Sequence, residues 1–366
     1  MREKVGYIPT LDGWRGIAII GVLLSHSRDM YLPWIGHRAS SILVGNQVQG
    51  FFGVDIFFAI SGLLICTRLL DEEKKFGYIS LRGFYVRRAL RILPPAILYL
   101  AVIAVLSLIG FFVTSKLDWF SSLFFFRNYT VSATPPSARW WFTGHFWSLS
   151  VEEHFYLILP GVLLLLKKWR LTALGALIVL VEICKYILIH RTHVQFGVYH
   201  HQTEMRVDEL LIPAFLAVWI YRGSHQQRLK RLLPSWSFFI LFPLYIRLLW
   251  NYELSAMTAC VAPLLLLSTV YHPHMFIGRI LESKPMRWIG RLSYSLYLWQ
   301  QLFICYRFVG YKPLGILETP PFNLLMTIAC AAASFYLVEL PSVRLGHRLA
   351  KPATPGHRDV AVTSAT

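Results

Sequence analysis

Two residues in the first apolar segment, Leu11 to Met30, are costly to place inside a membrane span: Arg15 and His26. A cation or an imidazole within a span marks a functional site by default. Eleven residues separate them, which is about 16 Å along an α-helix and within roughly 20° of one face at 3.6 residues per turn. They therefore look into one cavity at two depths. Asp55 and Glu152, each a few residues into a later apolar segment, fall near the level of His26, and Arg206 and Asp208 open another segment at a similar level. A histidine held by a carboxylate is what general-base activation of a hydroxyl requires: the neutral imidazole takes the proton, and the carboxylate orients the ring and stabilises the cation that forms. The ordinary alternative is a set of unrelated hydrogen bonds between packed helices.

The elements that must position these groups follow from composition. Hydrophobic residues make up 55% of the 366 and charged residues 15%, and apolar runs near the spanning length of about 20 residues recur along the whole chain. A soluble globular fold is excluded on that pattern. The hydropathy predicts an all-α, polytopic helix bundle of about ten transmembrane helices, starting near residues 11, 50, 92, 145, 171, 206, 235, 254, 289 and 322. The first segment keeps Arg15 and lacks a small-residue cleavage site, so a removable signal is not expected. A membrane-embedded domain over 1–350 and a polar tail over 351–366, expected to be disordered, complete the organisation.

The formal charge of +17 is explained by topology and not by nucleic acid. With the N-terminus inside, one set of loops and both ends collect Arg2, Lys4, Arg68, Lys74, Lys75, Arg82, Arg87, Arg88 and Arg91, and later Lys167, Lys168, Arg228, Lys230, Arg231, Arg287, Arg291, Arg344 and Arg348. The opposite loops hold far fewer, chiefly Arg28, Arg38, Lys116, Arg127, Arg139, Arg191, Arg307 and Lys312. The positive-inside rule then puts both termini in the cytoplasm. A basic inner face also suits anionic lipid or a phosphorylated ligand.

Within that face Arg87, Arg88 and Arg91 precede Pro94 and Pro95. On a helix Arg87 and Arg91 share a face, and guanidiniums so placed can clamp phosphates; the commoner use of such a cluster is to stop transfer and set topology. His190, His193, His200 and His201 lack the carboxylate-backed spacing of a zinc site, so they read as a solvated loop and no metal is expected. Cys66, Cys184, Cys260, Cys305 and Cys330 show no paired spacing and read as small core residues. Trp140, Trp141, Phe142, Phe146 and Trp147 form an interfacial belt by default, on which a sugar could also stack.

Several stretches, taken in order, resemble the acyltransferase 3 family of integral-membrane O-acyltransferases. Leu11-Asp12-Gly13-Trp14-Arg15 through His26 resembles the opening arginine and histidine motif. Gly53-Val54-Asp55-Ile56-Phe57-Phe58 with Ser61-Gly62 resembles the second-helix signature, and Tyr85-Val86-Arg87-Arg88-Ala89-Leu90-Arg91 resembles the arginine cluster. Trp147-Ser148-Leu149-Ser150-Val151-Glu152, Gly290-Arg291-Leu292-Ser293-Tyr294 running to Trp299, and Glu339-Leu340-Pro341 resemble the later ones. Two departures stand out: Gln300 occupies a place where the family often has histidine, so a hydrogen-bonding role is expected there, and no esterase-like domain is expected after Pro341.

The resemblance implies transfer of an acyl group, acetyl by default, from acyl-CoA to a hydroxyl of a carbohydrate or glycolipid such as O-antigen or exopolysaccharide. On that reading Arg87, Arg88 and Arg91 hold coenzyme A, with its arm passing Arg15. His26 acts as base or transient acyl acceptor, oriented by Glu152 and Asp55. Arg206, Asp208, Trp147 and Tyr294 serve the acceptor. Two rivals stay open: a transporter or flippase for a glycolipid, which would be expected to show internal repeats, and a structural or receptor-like membrane protein.

Overall fold

The computed structural model describes residues 7–27, 47–131, 138–191, 201–223, 225–250, 254–304 and 312–350. His193, His200, Arg28, Arg38, Arg307, Cys305 and the tail from Lys351 lie outside them, as do the side chains of Arg139, Trp140, His190 and Arg191. The described residues are helical, with short turns between helices.

Helix α1 spans Pro9–His26, α2 Gln47–Phe76 and α3 Leu81–Leu108. Three short helices follow, α4 Lys116–Leu123, α5 Arg127–Thr130 and α6 Ala138–Gly144, then α7 Phe146–Leu165 and α8 Arg170–Arg191. Next come α9 Thr203–Arg206, α10 Asp208–Tyr221, α11 His225–Leu232, α12 Ser237–Leu248 and α13 Ser255–Val270. The chain continues as α14 Phe276–Leu281, α15 Lys284–Phe303, α16 Phe322–Ser334, a π-helical turn Phe335–Glu339 and α17 Leu340–Leu349.

Among the described residues, five stretches are long and apolar enough to cross a membrane: Gly50–Phe76, Leu81–Leu108, Trp141–Leu165, Arg170–Ile189 and Phe322–Leu349. The chain is a multi-pass membrane protein on that count. Helices α1, of 18 residues, and α15, of 20, are more polar than these stretches, and the reason is their place in the bundle. Helix α1 packs against both α2 and α15, and from Gly290 onward α15 is buried at most positions. Polar side chains there face other helices, where hydrogen-bond partners replace water. Peripheral α8 shows the reverse pattern, with Val179, Leu180, Ile183 and Ile187 exposed.

Close helix approach depends on glycine at two crossings. A Cβ at Gly290 would collide with the carbonyl of Asp12, and one at Gly53 with the carbonyl of Ala18. These contacts fix α15 and α2 against α1, the helix that carries Arg15 and His26, as small residues do at membrane helix interfaces.

Candidate active site

Arg15, Arg88 and Arg91 meet at a cavity of about 680 Å³, together with Glu152, Ser61, Tyr156, Ser148, Tyr294 and Tyr297. Helix α1 supplies the first guanidinium and α3 the other two. An adjoining cavity of about 780 Å³ shares Arg15 and Arg91 and adds Arg68, Arg291, Asp12 and Glu339. Over both cavities five guanidiniums face three carboxylates, and the carboxylates have other partners. Tyr7 donates to Asp12 at 2.6 Å, Ser295 to Glu339 at 2.8 Å and Ser61 to Glu152 at 2.8 Å. Asp12 stands 4.0 Å from Arg15. The Arg88 guanidinium lies 4.8 Å over the Tyr156 ring. Glu339 closes the π-helical turn, a local widening that is frequent at functional sites.

The spacing on α3 leads to a different result for Arg87. Its guanidinium pairs with Glu72 at 2.8 Å, while Arg88 and Arg91 turn into the cavities. Arg87 is taken up by the α2 carboxylate nearest it, and the guanidiniums that join Arg88 and Arg91 come from Arg15, Arg68 and Arg291.

His26 lies toward the other end of α1. Its Nδ1 is 2.7 Å from Gln300 Oε1; an amide oxygen only accepts, so Nδ1 carries the proton and Nε2 keeps its lone pair. Gln300 thus occupies the hydrogen-bonding role expected for it. The ring meets Trp141 edge-on at 5.1 Å. Gln300 is one turn beyond Tyr297 on α15, and the Tyr297 hydroxyl is 2.7 Å from Ser148 Oγ, itself one turn before Glu152 on α7. Those two steps offset Glu152 from His26 by about 10 Å at 1.5 Å per residue. The levels inferred from hydropathy put Glu152 beside His26; the pairings place it two turns away, in the cavity wall.

Asp55, Arg206 and Asp208 come together in a second polar cluster. Arg206 bridges Asp55 and Glu209, Lys185 binds Asp208 at 2.6 Å and Glu182 at 3.4 Å, and Tyr245 donates to Asp55 at 3.4 Å. The Arg206 guanidinium is 5.6 Å from the Trp147 and Phe51 rings. These contacts join α2, α8, α9 and α10. Trp147 meets the cavity through the edge of Phe58, 6.3 Å away, which lines it. Tyr294 also lines it, with its hydroxyl donating to the Ile92 carbonyl at 2.8 Å.

Sequence reasoning missed Arg68, Arg291, Ser61 and Tyr297 as site residues. Arg68 and Arg291 sat in basic stretches that topology already explained. The signal available for Tyr297 was its spacing of three from Gln300 in a polar helix. Among the described residues no group of His, Cys, Asp and Glu is arranged to hold a metal ion.

Comparison with known proteins supplies the family. A model of the acyltransferase 3 family, described as an acyltransferase domain, matches residues 8–339. The chain is 28% identical to a putative O-acetyltransferase of Staphylococcus aureus (strain COL), with 93% of the chain and 58% of that protein aligned. It is 29% identical to the putative peptidoglycan O-acetyltransferase YrhL of Bacillus subtilis (strain 168), over 93% of the chain and 56% of the relative. It is 28% identical to the peptidoglycan O-acetyltransferase OatA of Listeria monocytogenes, over 91% and 54%. The chain therefore spans a little over half the length of these curated relatives. No solved structure matches it. With the family match running from the start of α1 to the π-helical turn, the chain belongs to the acyltransferase 3 family.

Proposed function

We propose that this protein transfers an acetyl group from acetyl-CoA to a hydroxyl of a carbohydrate, within the membrane. The observation that carries the reading is the pair of adjoining cavities in which guanidiniums outnumber carboxylates, on the same helix as a histidine whose Nδ1 is held by Gln300. Arg15, Arg68, Arg88, Arg91 and Arg291 fit the phosphates of coenzyme A, since guanidiniums bind phosphate oxygens through paired, charge-assisted hydrogen bonds. The axial offset of about 16 Å between Arg15 and His26 suits a long, extended donor.

At the far end His26 Nε2 takes the proton of the acceptor hydroxyl. The hydroxyl oxygen bonds the acyl carbon, the carbon–sulfur bond breaks, and the imidazolium returns the proton to the departing thiolate. Gln300 holds the reactive tautomer. Glu152, fixed by Ser61, balances Arg88 and Arg15 in the cavity wall, and Tyr294 and Tyr297 shape its end. Asp55, Arg206 and Asp208 act as an ionic clamp that sets α2 against α8 and α10, with Trp147 stacked on it.

The names of two of the relatives favour peptidoglycan glycan as the acceptor class. The charge distribution supports about ten spans with both termini and the guanidinium cavities on the cytoplasmic side, where acetyl-CoA is found. The test is coenzyme A release by the full chain in nanodiscs with acetyl-CoA and de-O-acetylated peptidoglycan fragments. Acceptor-dependent release, with a weaker apparent donor affinity in Arg91→Gln, supports the reading; no release from the parent with any glycan refutes it.

A further inference from the structure

Gln300 and Gln301 are consecutive on α15, and each holds an imidazole by the same ring nitrogen. Gln300 Oε1 meets His26 Nδ1 at 2.7 Å. Gln301 Oε1 meets His145 Nδ1 at 2.6 Å and accepts the His145 main-chain N–H at 3.3 Å. An oxygen in that position leaves Nδ1 of His145 protonated and its Nε2 with a lone pair, as in His26. Trp141 ties the two units together: its ring meets His26, and its Nε1–H donates to the Gln301 carbonyl at 3.0 Å.

His145 joins α6 to α7 and is 2% exposed, with Phe146, Tyr99 and Tyr297 around its ring at 4.9, 5.2 and 5.4 Å. Its Nε2 is buried and has no hydrogen-bond partner among the described residues; the same is true of Trp299 Nε1, a donor. Trp299 stands 5.6 Å from Tyr99, the ring that also flanks His145. An open acceptor and an open donor around one tyrosine are the complement of a hydroxyl, which both donates and accepts. The place lies behind the cavity wall: Tyr297 and Ser148 line the cavity, and their hydroxyls, 2.7 Å from each other, stand 3.1 and 3.3 Å from the His145 carbonyl.

We propose that His145 is a substrate-binding residue: its Nε2 accepts a hydrogen bond from a second hydroxyl of the carbohydrate, beside the hydroxyl that His26 deprotonates, while Trp299 Nε1–H donates to that same group. The inference rests on the acyl-transfer reading and deepens it by naming residues that hold the acceptor through a hydroxyl other than the one that reacts. A purely structural His145 would need only its bond to Gln301.

Two substitutions separate the possibilities. His145→Asn keeps a donor where Nδ1 stands and removes Nε2; His145→Gln puts an amide where Nε2 stands and gives up the Nδ1 position. Both are assayed as the full chain in nanodiscs with acetyl-CoA and lysozyme-digested, de-O-acetylated peptidoglycan, alongside Trp299→Phe. Loss of one hydrogen bond to substrate is expected to raise the KM for glycan roughly tenfold in His145→Asn, with the KM for acetyl-CoA within about twofold of the parent. His145→Gln recovers most of that affinity, and Trp299→Phe shows a smaller rise. An active His145→Asn indistinguishable from the parent, or more active than His145→Gln, overturns the proposal alone. A parent that releases no coenzyme A overturns it together with the transfer reading.

Discussion

The bundle contains two collections of charge, one around open cavities with Arg68 and Arg291 exposed and one packed between helices, and they are built in opposite ways. Around the cavities, Arg15, Arg68, Arg88, Arg91 and Arg291 face Asp12, Glu152 and Glu339, and the space between them is open. Between α2, α8, α9 and α10, four carboxylates, Asp55, Glu182, Asp208 and Glu209, share two cations, Arg206 and Lys185, in direct contact. Buried charges are tolerated when they are paired at short range. The second cluster meets that condition through contacts such as Lys185–Asp208 at 2.6 Å. The first leaves cations in excess around a hollow, the condition of a site that accepts a polyanion. A charged residue in a membrane helix therefore points to a function only after its partners are known.

This contrast predicts different kinds of failure. The largest effect is expected for His26→Ala, which should lower turnover by about 10²–10⁴ through loss of the general base, measured as coenzyme A release at saturating donor. Arg206→Ala should instead lower the stability of the folded protein by about 3–5 kcal/mol, because it strands buried carboxylates; a thermal melt in detergent measures it. Arg91→Gln should keep the melting temperature and raise the donor KM, since losing a hydrogen bond to a charged group costs about 1.5–3 kcal/mol. The smallest effect is expected for Arg87→Gln. Its partnership with Glu72 is partly exposed, and such pairs contribute about 0–1 kcal/mol, so donor KM and melting temperature should both stay near the parent's.

Much of this organisation was legible in the chain. Helices begin within a few residues of nine of the ten expected starts, the third beginning at Leu81 well before 92, and Arg15 and His26 lie on one helix toward opposite ends, because 3.6-residue periodicity is a local property. The cavity is lined by Arg15, Arg88, Arg91 and Glu152, singled out from their sequence setting, and by Tyr294, named through the family resemblance. What could not be read was partnership. Hydropathy assigns a depth good to a turn or two, yet one turn decides whether Glu152 reaches His26 or Ser61. Asp55 and Arg206 are 151 positions apart, and nothing local announces that they neutralise each other. The pairing of His26 with Gln300 depends on how α1 crosses α15 at Gly290, where the contact is set by the absence of a side chain.

The most direct test is equilibrium binding of coenzyme A to the full chain in nanodiscs, comparing the parent with Arg91→Gln and with Arg206→Lys, which keeps the charge in the paired cluster. Weaker binding in Arg91→Gln with the parent's Kd in Arg206→Lys is the expected result. The parent's Kd in Arg91→Gln, with binding lost in a folded Arg206→Lys, would contradict the assignment of the donor to the cation-rich cavities.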